Sequence, residues 1–197
     1  MNLLSSHSFV DNKAKRIVLQ TSIIMAQPTH VLYHHPFSVC SIMVRYTFAL
    51  RGAPGNEASE IRLEERVCDI LRGEQLSEHY LCDINANGEV PVLVPDISES
   101  SNGQPIPESV DITYYIANQY PSLLPKEHED EIKRLLEALH HINFFSLTFT
   151  GKQDGPRSRI AQLQRLLQGN ISDKYRVAIE RKIQRCVAPL SNANRMC

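Results

Sequence analysis

The sequence predicts an α/β domain with a mixed four-stranded sheet over residues 29–121, followed by a truncated all-α domain over residues 125–190. Three observations predict it. Between residues 30 and 95, short apolar or alternating runs of strand length flank one long run with helical spacing. A polar turn at Ser98–Gly103 joins the last two strand candidates as a hairpin. Beyond Pro125 only helical spacing remains.

Residues 30–34, His-Val-Leu-Tyr-His, read as a short strand that Pro36 breaks. From Ser38 to Arg51 apolar residues fall at Val39, Ile42, Met43, Tyr46, Phe48, Ala49 and Leu50, which predicts a helix with a broad, mostly buried face. Gly52 suits its C-terminal cap. Residues 61–69 alternate, with Ile61, Leu63 and Val67 on one face of a strand and Arg62, Glu64 and Arg66 on the other. Gln75–Leu81 is a short helix, Asn85–Gly88 a turn, and Val90–Val94 an apolar strand opening on an X-Pro pair. Pro105 and Ile106 begin or flank a further strand, and a helix runs from Ser109 to about Gln119.

This β-α-β-α-β-β-α order makes the first two strands parallel through a right-handed crossover. It suits a thioredoxin-like layering of helices around a mixed sheet. In the second region Lys126–Phe149 carries Ile132, Leu135, Leu136, Leu139, Ile142 and Phe145 at helical spacing, with Glu127, Glu129, Asp130 and Glu131 at its positive dipole end. Thr150–Pro156 reads as a loop. Ser158–Gln168 is a helix, Gly169-Asn170 breaks it, and Ser172 caps another helix with Tyr175, Ile179 and Ile183 on a narrow stripe. Residues 1–28 read as a disordered extension, with basic residues before an interrupted apolar run, and residues 191–197 as a tail.

The chain has 197 residues, with 21 Lys+Arg against 22 Asp+Glu. A net charge of -1 offers no global attraction for nucleic acid or an acidic membrane surface. No run approaches the ~20 consecutive apolar residues of a membrane helix. The charge is unevenly spread: Lys152–Cys197 holds ten bases and three acids, a net +7, which leaves -8 for the rest. Five cysteines without a CxxC pair make neither a disulfide framework nor a standard zinc site, so a reducing, cytoplasmic setting is expected. His34-His35 and His140-His141 are adjacent pairs, and neighbours on a strand or helix point apart.

Three features carry chemistry. The turn His35-Pro36-Phe37-Ser38 puts Ser38 at a helix N-terminus, where unpaired N–H groups and the dipole favour an anion. A free thiol, with pKa near 8.5, is about 3% ionised at pH 7. Lowering that pKa by two units takes about 2.7 kcal/mol, within reach of one charge-assisted hydrogen bond and a helix terminus. The simpler reading of Ser38 is a helix cap. Second, a cis bond in Glu89-Val90-Pro91 would turn the Val90 backbone outward to pair with an extended peptide, whereas a trans bond is an ordinary strand start. Third, Ser109 opens a second helix and suits a carboxylate, while Glu108 suits an ammonium group; a plain cap is again the simpler reading.

As a set, Ser38, Val90-Pro91 and Glu108-Ser109, with Asp69-Ile-Leu-Arg-Gly-Glu-Gln-Leu-Ser and Ile84-Asn-Ala-Asn-Gly-Glu-Val-Pro-Val-Leu between them, resemble the N-terminal domain of glutathione transferases over about residues 30–120. The turn at Ser38 is most similar to the serine-type classes, phi and theta. The resemblance implies glutathione as co-substrate and Ser38 as activator of its thiol. It implies pairing of Val90, beside cis-Pro91, with the cysteinyl backbone. Glu108 and Ser109 would bind the γ-glutamyl end, and Gln75 would lie near the glycyl carboxylate. It also implies a hydrophobic electrophilic small molecule as second substrate, either conjugated or isomerised, and a homodimer. A fungal secondary-metabolite pathway is a setting suggested by analogy.

The sequence also departs from that pattern. Glu89 stands where the family carries Lys or Gln, and a carboxylate turned toward the glycyl end would repel it. Asp111 adds negative charge near the anion site, and His35 stands where the omega class places its catalytic cysteine. Cys40, inside the first turn of its helix, reads first as a buried structural thiol; the alternative is a nucleophile in mixed-disulfide chemistry, its pKa lowered by that N-terminus. The competing function is a non-catalytic binding or scaffold module that keeps the fold. The basic stretch Lys174–Arg185 reads as a solvated face, opposite an apolar stripe that suits a partner or subunit. With room for about three helices where the family has five or more, the second region should expose apolar surface on Lys126–Ile183.

Overall fold

The computed structural model describes residues 30–95, 103–142 and 155–191. The expected extension 1–28, residues 98–102 of the polar turn, residues 143–149 of the long helix, residues 150–154 of the loop and the tail after Ser191 lie outside the described residues. Strand β1 (His30–His34) leads into helix α1 (Val39–Leu50), then β2 (Leu63–Val67), β3 (Val92–Pro95) and α2 (Ser109–Gln119). Helices α3 (Glu129–His140), α4 (Gly155–Leu167) and α5 (Asp173–Ser191) follow. The chain is a thioredoxin-like α/β domain followed by an all-α region.

The sheet runs β2-β1-β3, with β1 parallel to β2 and antiparallel to β3. The expected fourth strand shrinks to one bridge, in which Leu93 and Ile106 exchange both backbone hydrogen bonds at 3.0 and 2.8 Å. Prolines on both sides of Ile106 lack the N–H that would extend the ladder. Because side chains alternate along a strand, β1 and β3 divide between two layers. Leu32 and Leu93 join Val44, Phe48, Ile61, Ile112, Ile116 and Tyr120 under α1 and α2. Tyr33, Val92 and Val94 meet Cys68, Tyr80 and Ile84 on the other face. The Tyr120 hydroxyl closes the first layer by accepting from the Ile61 N–H at 2.9 Å.

Several expectations change. The inward face of α1 is Ser41, Val44 and Phe48, whereas Val39, Ile42, Tyr46 and Leu50 are exposed. Val67 also points to solvent, at the end of the edge strand β2. The helix expected over 75–81 becomes a 3₁₀ turn, Glu74–Leu76, and then a wide π turn, Tyr80–Ile84, closed by the Asn85 N–H on the Tyr80 carbonyl at 2.8 Å. Tyr80 thereby lies under the sheet, and its hydroxyl donates to the Glu89 carbonyl at 2.8 Å. Gly88 has φ +58, and a Cβ there would sit 2.9 Å from Leu81 and 3.1 Å from the Gln75 carbonyl. Gly52 is not a left-handed cap: Arg51 caps α1, and Gly52 instead lets Ser122 approach.

Helix α3 buries none of its side chains, so the expected exposed apolar surface is present there at Leu135, Leu139 and Ile142. Helices α4 and α5 pack Leu163, Tyr175 and Ile179 on Leu76 and Leu81 of the first domain. Ser172 caps α5 as expected, accepting from the Tyr175 N–H at 3.1 Å, and the Tyr175 hydroxyl donates to the Leu76 carbonyl.

Ile179→Ala should cost about 2–5 kcal/mol in a denaturant titration, because Ile179 is fully buried at the joint between the two regions. A pH dependence follows from His34 at the end of β1. Burial holds its imidazole below the ordinary 6.5, outweighing Glu65, whose carboxylate raises it, while Arg45 and His35 lower it further. The unfolded chain therefore takes up this proton before the folded chain does, and stability falls as pH drops below 6.5. Melting temperature should decline in that window, and less steeply in His34→Gln.

Candidate functional site

The end of β1 delivers the chain into a tight turn in which the Ser38 N–H donates to the His35 carbonyl at 3.0 Å. Ser38 is half-buried and caps α1, its Oγ accepting from the Ser41 N–H at 3.3 Å. The capping interaction uses a lone pair of the hydroxyl, so its proton can still be donated elsewhere.

In the first turn of α1, the Cys40 thiol meets the start of α2. Burial pushes its pKa up, a hydrogen bond with the Ser109 side chain opposes this, and the nearby carboxylates of Glu108 and Glu89 raise it again. The thiol's pKa is therefore raised, not lowered as expected: burial is the largest cause and outweighs the Ser109 hydrogen bond, and Glu108 and Glu89 add to the rise. The same contacts show that the starts of α1 and α2 and the approach to β3 converge on one place.

At that place the Val90–Pro91 bond is cis. Pro91 is fully buried, and the Glu89 carbonyl is held inward by the Tyr80 hydroxyl and the Asn85 amide. Among the described residues, no hydrogen bond engages the Val90 backbone. Ser109 is the first residue of α2 and is buried, with its side chain on Cys40. Glu108 precedes it without capping the helix through its side chain. Partial burial pushes the Glu108 carboxyl up, Glu89 and Asp111 add to the rise, and Arg185 opposes it. Gln75 lies apart in its orientation: it is buried, its amide donates to the Ile70 carbonyl at 3.3 Å, and its Oε1 has no partner among the described residues.

The residues that sequence reasoning missed come from α5. Lys182 is only 3% exposed, and its Nζ donates to Glu89 Oε1 at 3.0 Å. Arg185 donates to the Asn87 side chain. The basic face expected to be solvated is thus partly an inner face, and the apolar stripe beside it covers the chain's own first domain. A signal existed: Lys182 falls on the stripe of Tyr175 and Ile179, and Glu89 is the acid that called for a cation. Elsewhere, a cleft of about 400 Å³ opens between α2 and α3, lined by Val110, Tyr114, Lys133, Glu137, His140 and His141.

No family model matches the chain, and no curated protein does. Among solved structures it is similar to a possible glutathione S-transferase from Rhodopseudomonas palustris, 24% identical over 83% of this chain and 87% of that one, with a TM-score of 0.47. It is also similar to a glutathione transferase homolog from Sulfitobacter with bound glutathione, 15% identical over 84% and 68% of the two chains, TM-score 0.42. A third is a glutathione transferase from Phanerochaete chrysosporium with oxidized glutathione, 17% identical over 88% and 71%, TM-score 0.39. At these identities and TM-scores the activity of none of them passes to this chain.

The Glu89–Lys182 pair yields an asymmetric expectation. Removing the acid alone strands a buried ammonium, whereas replacing the lysine with an apolar side chain of similar length leaves a half-exposed carboxylate free to hydrate. Glu89→Gln should therefore lower the melting temperature more than Lys182→Met does.

Proposed function

We propose that the chain binds glutathione along the Val90 edge and activates its thiol for attack on a hydrophobic electrophile. The observation that carries this reading is the convergence of two helix N-termini, those of α1 and α2, beside a Val90 backbone that no hydrogen bond engages among the described residues. In this reading the Val90 N–H and carbonyl pair with the cysteinyl backbone as one more strand. The Ser109 N–H at the start of α2 takes the γ-glutamyl carboxylate, and Glu108 takes the ammonium group. One amide N–H of Gln75 is engaged by the Ile70 carbonyl, and in this reading the other faces the glycyl carboxylate.

The Ser38 hydroxyl donates its proton to the thiolate as a hydrogen bond, without transferring it, and the α1 dipole adds to the stabilisation. The sulfur lone pair then forms a bond to the electrophilic carbon. Either a leaving group departs with the displaced electron pair, or the adduct later expels the thiolate and returns an isomerised double bond. Cys40 is held as thiol by its surroundings, and this favours Ser38 over it as the activating residue. A serine-type class and a place in fungal secondary metabolism belong to the same proposal and rest on the sequence resemblance, and a cytoplasmic setting rests on five cysteines without a CxxC pair.

A second reading, a non-catalytic module, is favoured by one observation: Lys182 and Arg185 of α5 already occupy partners at the approach to the same edge.

Retention on immobilised glutathione and turnover with chlorodinitrobenzene test the first reading. Losing a hydrogen bond to a charged sulfur costs about 1.5–3 kcal/mol, so Ser38→Ala should cut turnover by roughly ten- to hundredfold while retention persists. No retention together with no conjugation would sink the enzyme reading. Retention without conjugation would favour the binding module.

A further inference from the structure

A peptide thiol laid along the Val90 edge meets the wrong charge. At neutral pH glutathione has one more carboxylate than it has ammonium groups. Yet Glu89 and Asp111 both act on the Glu108 carboxyl, and Glu89 and Glu108 both act on the Cys40 thiol, so acids border the place where the two helix N-termini meet. Glu108 and the Ser109 N–H answer the γ-glutamyl end of the ligand. The glycyl carboxylate, at the other end of an extended peptide, still needs a cation, and the residue just before Val90 is an acid.

The cation stands on α5. Lys182 is 3% exposed, and its Nζ donates to Glu89 Oε1 at 3.0 Å. An ammonium has three N–H donors, and among the described residues no other hydrogen bond engages this one. The Glu89 side chain is 49% exposed, so the pair lies at the boundary with water and not deep in the core. Packing on the same helix face fixes where Lys182 sits: Ile179 is buried against Leu76 and Leu81, and the Tyr175 hydroxyl donates to the Leu76 carbonyl. Leu76 follows Gln75, whose buried Oε1 has no partner among the described residues. Gly88, the neighbour of Glu89, lies so near that a Cβ on it would meet the Gln75 carbonyl at 3.1 Å. Two buried polar side chains with hydrogen-bonding capacity in reserve thus flank the entry to Val90. A charged group held in place and out of water binds an arriving opposite charge more strongly than a solvated one does.

We propose that Lys182 receives the glycyl carboxylate, with Glu89 as the positioning residue that holds the ammonium at the edge. The step rests on the glutathione reading and deepens it. Recognition of that end of the ligand is then a property of the all-α region, supplied from 93 residues beyond Glu89. Lys182 becomes a specificity-determining residue, because it favours a free glycyl carboxylate over a neutral ester.

Titration calorimetry of the full chain with glutathione, and with glutathione esterified at its glycine, tests this. The wild type should bind the acid more tightly than the ester. Lys182→Met should weaken glutathione binding by about ten- to hundredfold and leave the affinity for the ester as it was. Unchanged ester binding, together with an unchanged circular dichroism spectrum, shows that the site still forms. A Glu89→Gln/Lys182→Met double variant leaves no unpaired charge, and it separates a ligand contact from simple neutralisation of Glu89. If Lys182 contacts the ligand, the double variant still binds glutathione weakly. If Lys182 only offsets Glu89, the double variant regains wild-type affinity, and that result would overturn the proposal. So would a wild type that binds acid and ester alike, or a Lys182→Met variant that loses both equally. A wild type that binds neither ligand removes the glutathione reading itself, and Lys182's role with it.

Discussion

The central strand is the constraint on which the rest of the molecule depends. Strand β1 is paired on both sides, parallel to β2 and antiparallel to β3, and it ends in the turn that starts α1. Antiparallel pairing with β3 brings the entry of β3 alongside the exit of β1, which sets Val90-Pro91 near Ser38 without any loop of its own. The Leu93–Ile106 bridge then hands the chain on to α2, whose first residue meets Cys40. Three segments far apart in sequence converge because one five-residue strand holds two registers at once.

Electrostatics at that convergence are governed by burial. Burial raises the pKa of the Cys40 thiol there, with Glu108 and Glu89 adding to it, and burial with Glu89 and Asp111 raises that of Glu108. The counter-charge comes from the far end of the chain. Lys182 is buried against Glu89, and a buried ammonium is tolerated only with a partner this close. The same helix is tied by Lys174 to Asp83 at 2.7 Å, so α5 lies along a strip of acids and carbonyls that the first domain presents.

Local chemistry in the sequence was legible where the determinant is local. The span of β1, the cap at Ser38, the start of α2 at Ser109 and the cap at Ser172 all follow from residues within a few positions of one another. What was not legible depends on neighbours distant in sequence. Periodicity on α1 reveals a stripe, but which of its residues meet a core is decided by what packs there, and the core took Phe48 from it together with Val44. The burial of Lys182 was hidden for the same reason: a lysine among charged neighbours reads as solvated until Glu89 is beside it. Cys40 shows how a rule of thumb fails. The helix N-terminus is visible in sequence, while the burial that chiefly raises the thiol's pKa comes from the packing of distant segments, with Glu108 and Glu89 adding to it.

The contacts made by α5 bear on how the protein is born. Lys182 meets Glu89 across 93 residues, Arg185 meets Asn87 across 98, and Tyr175 meets Leu76 across 99. Loop closure over such separations must precede any energetic return, so these contacts belong to the slow, late part of folding. On a ribosome the edge beside Pro91 is synthesised long before its basic partner helix exists. Until then Glu89, Glu108 and Asp111 stand without Lys182 and Arg185. The nascent domain therefore carries a more acidic edge than the finished protein does.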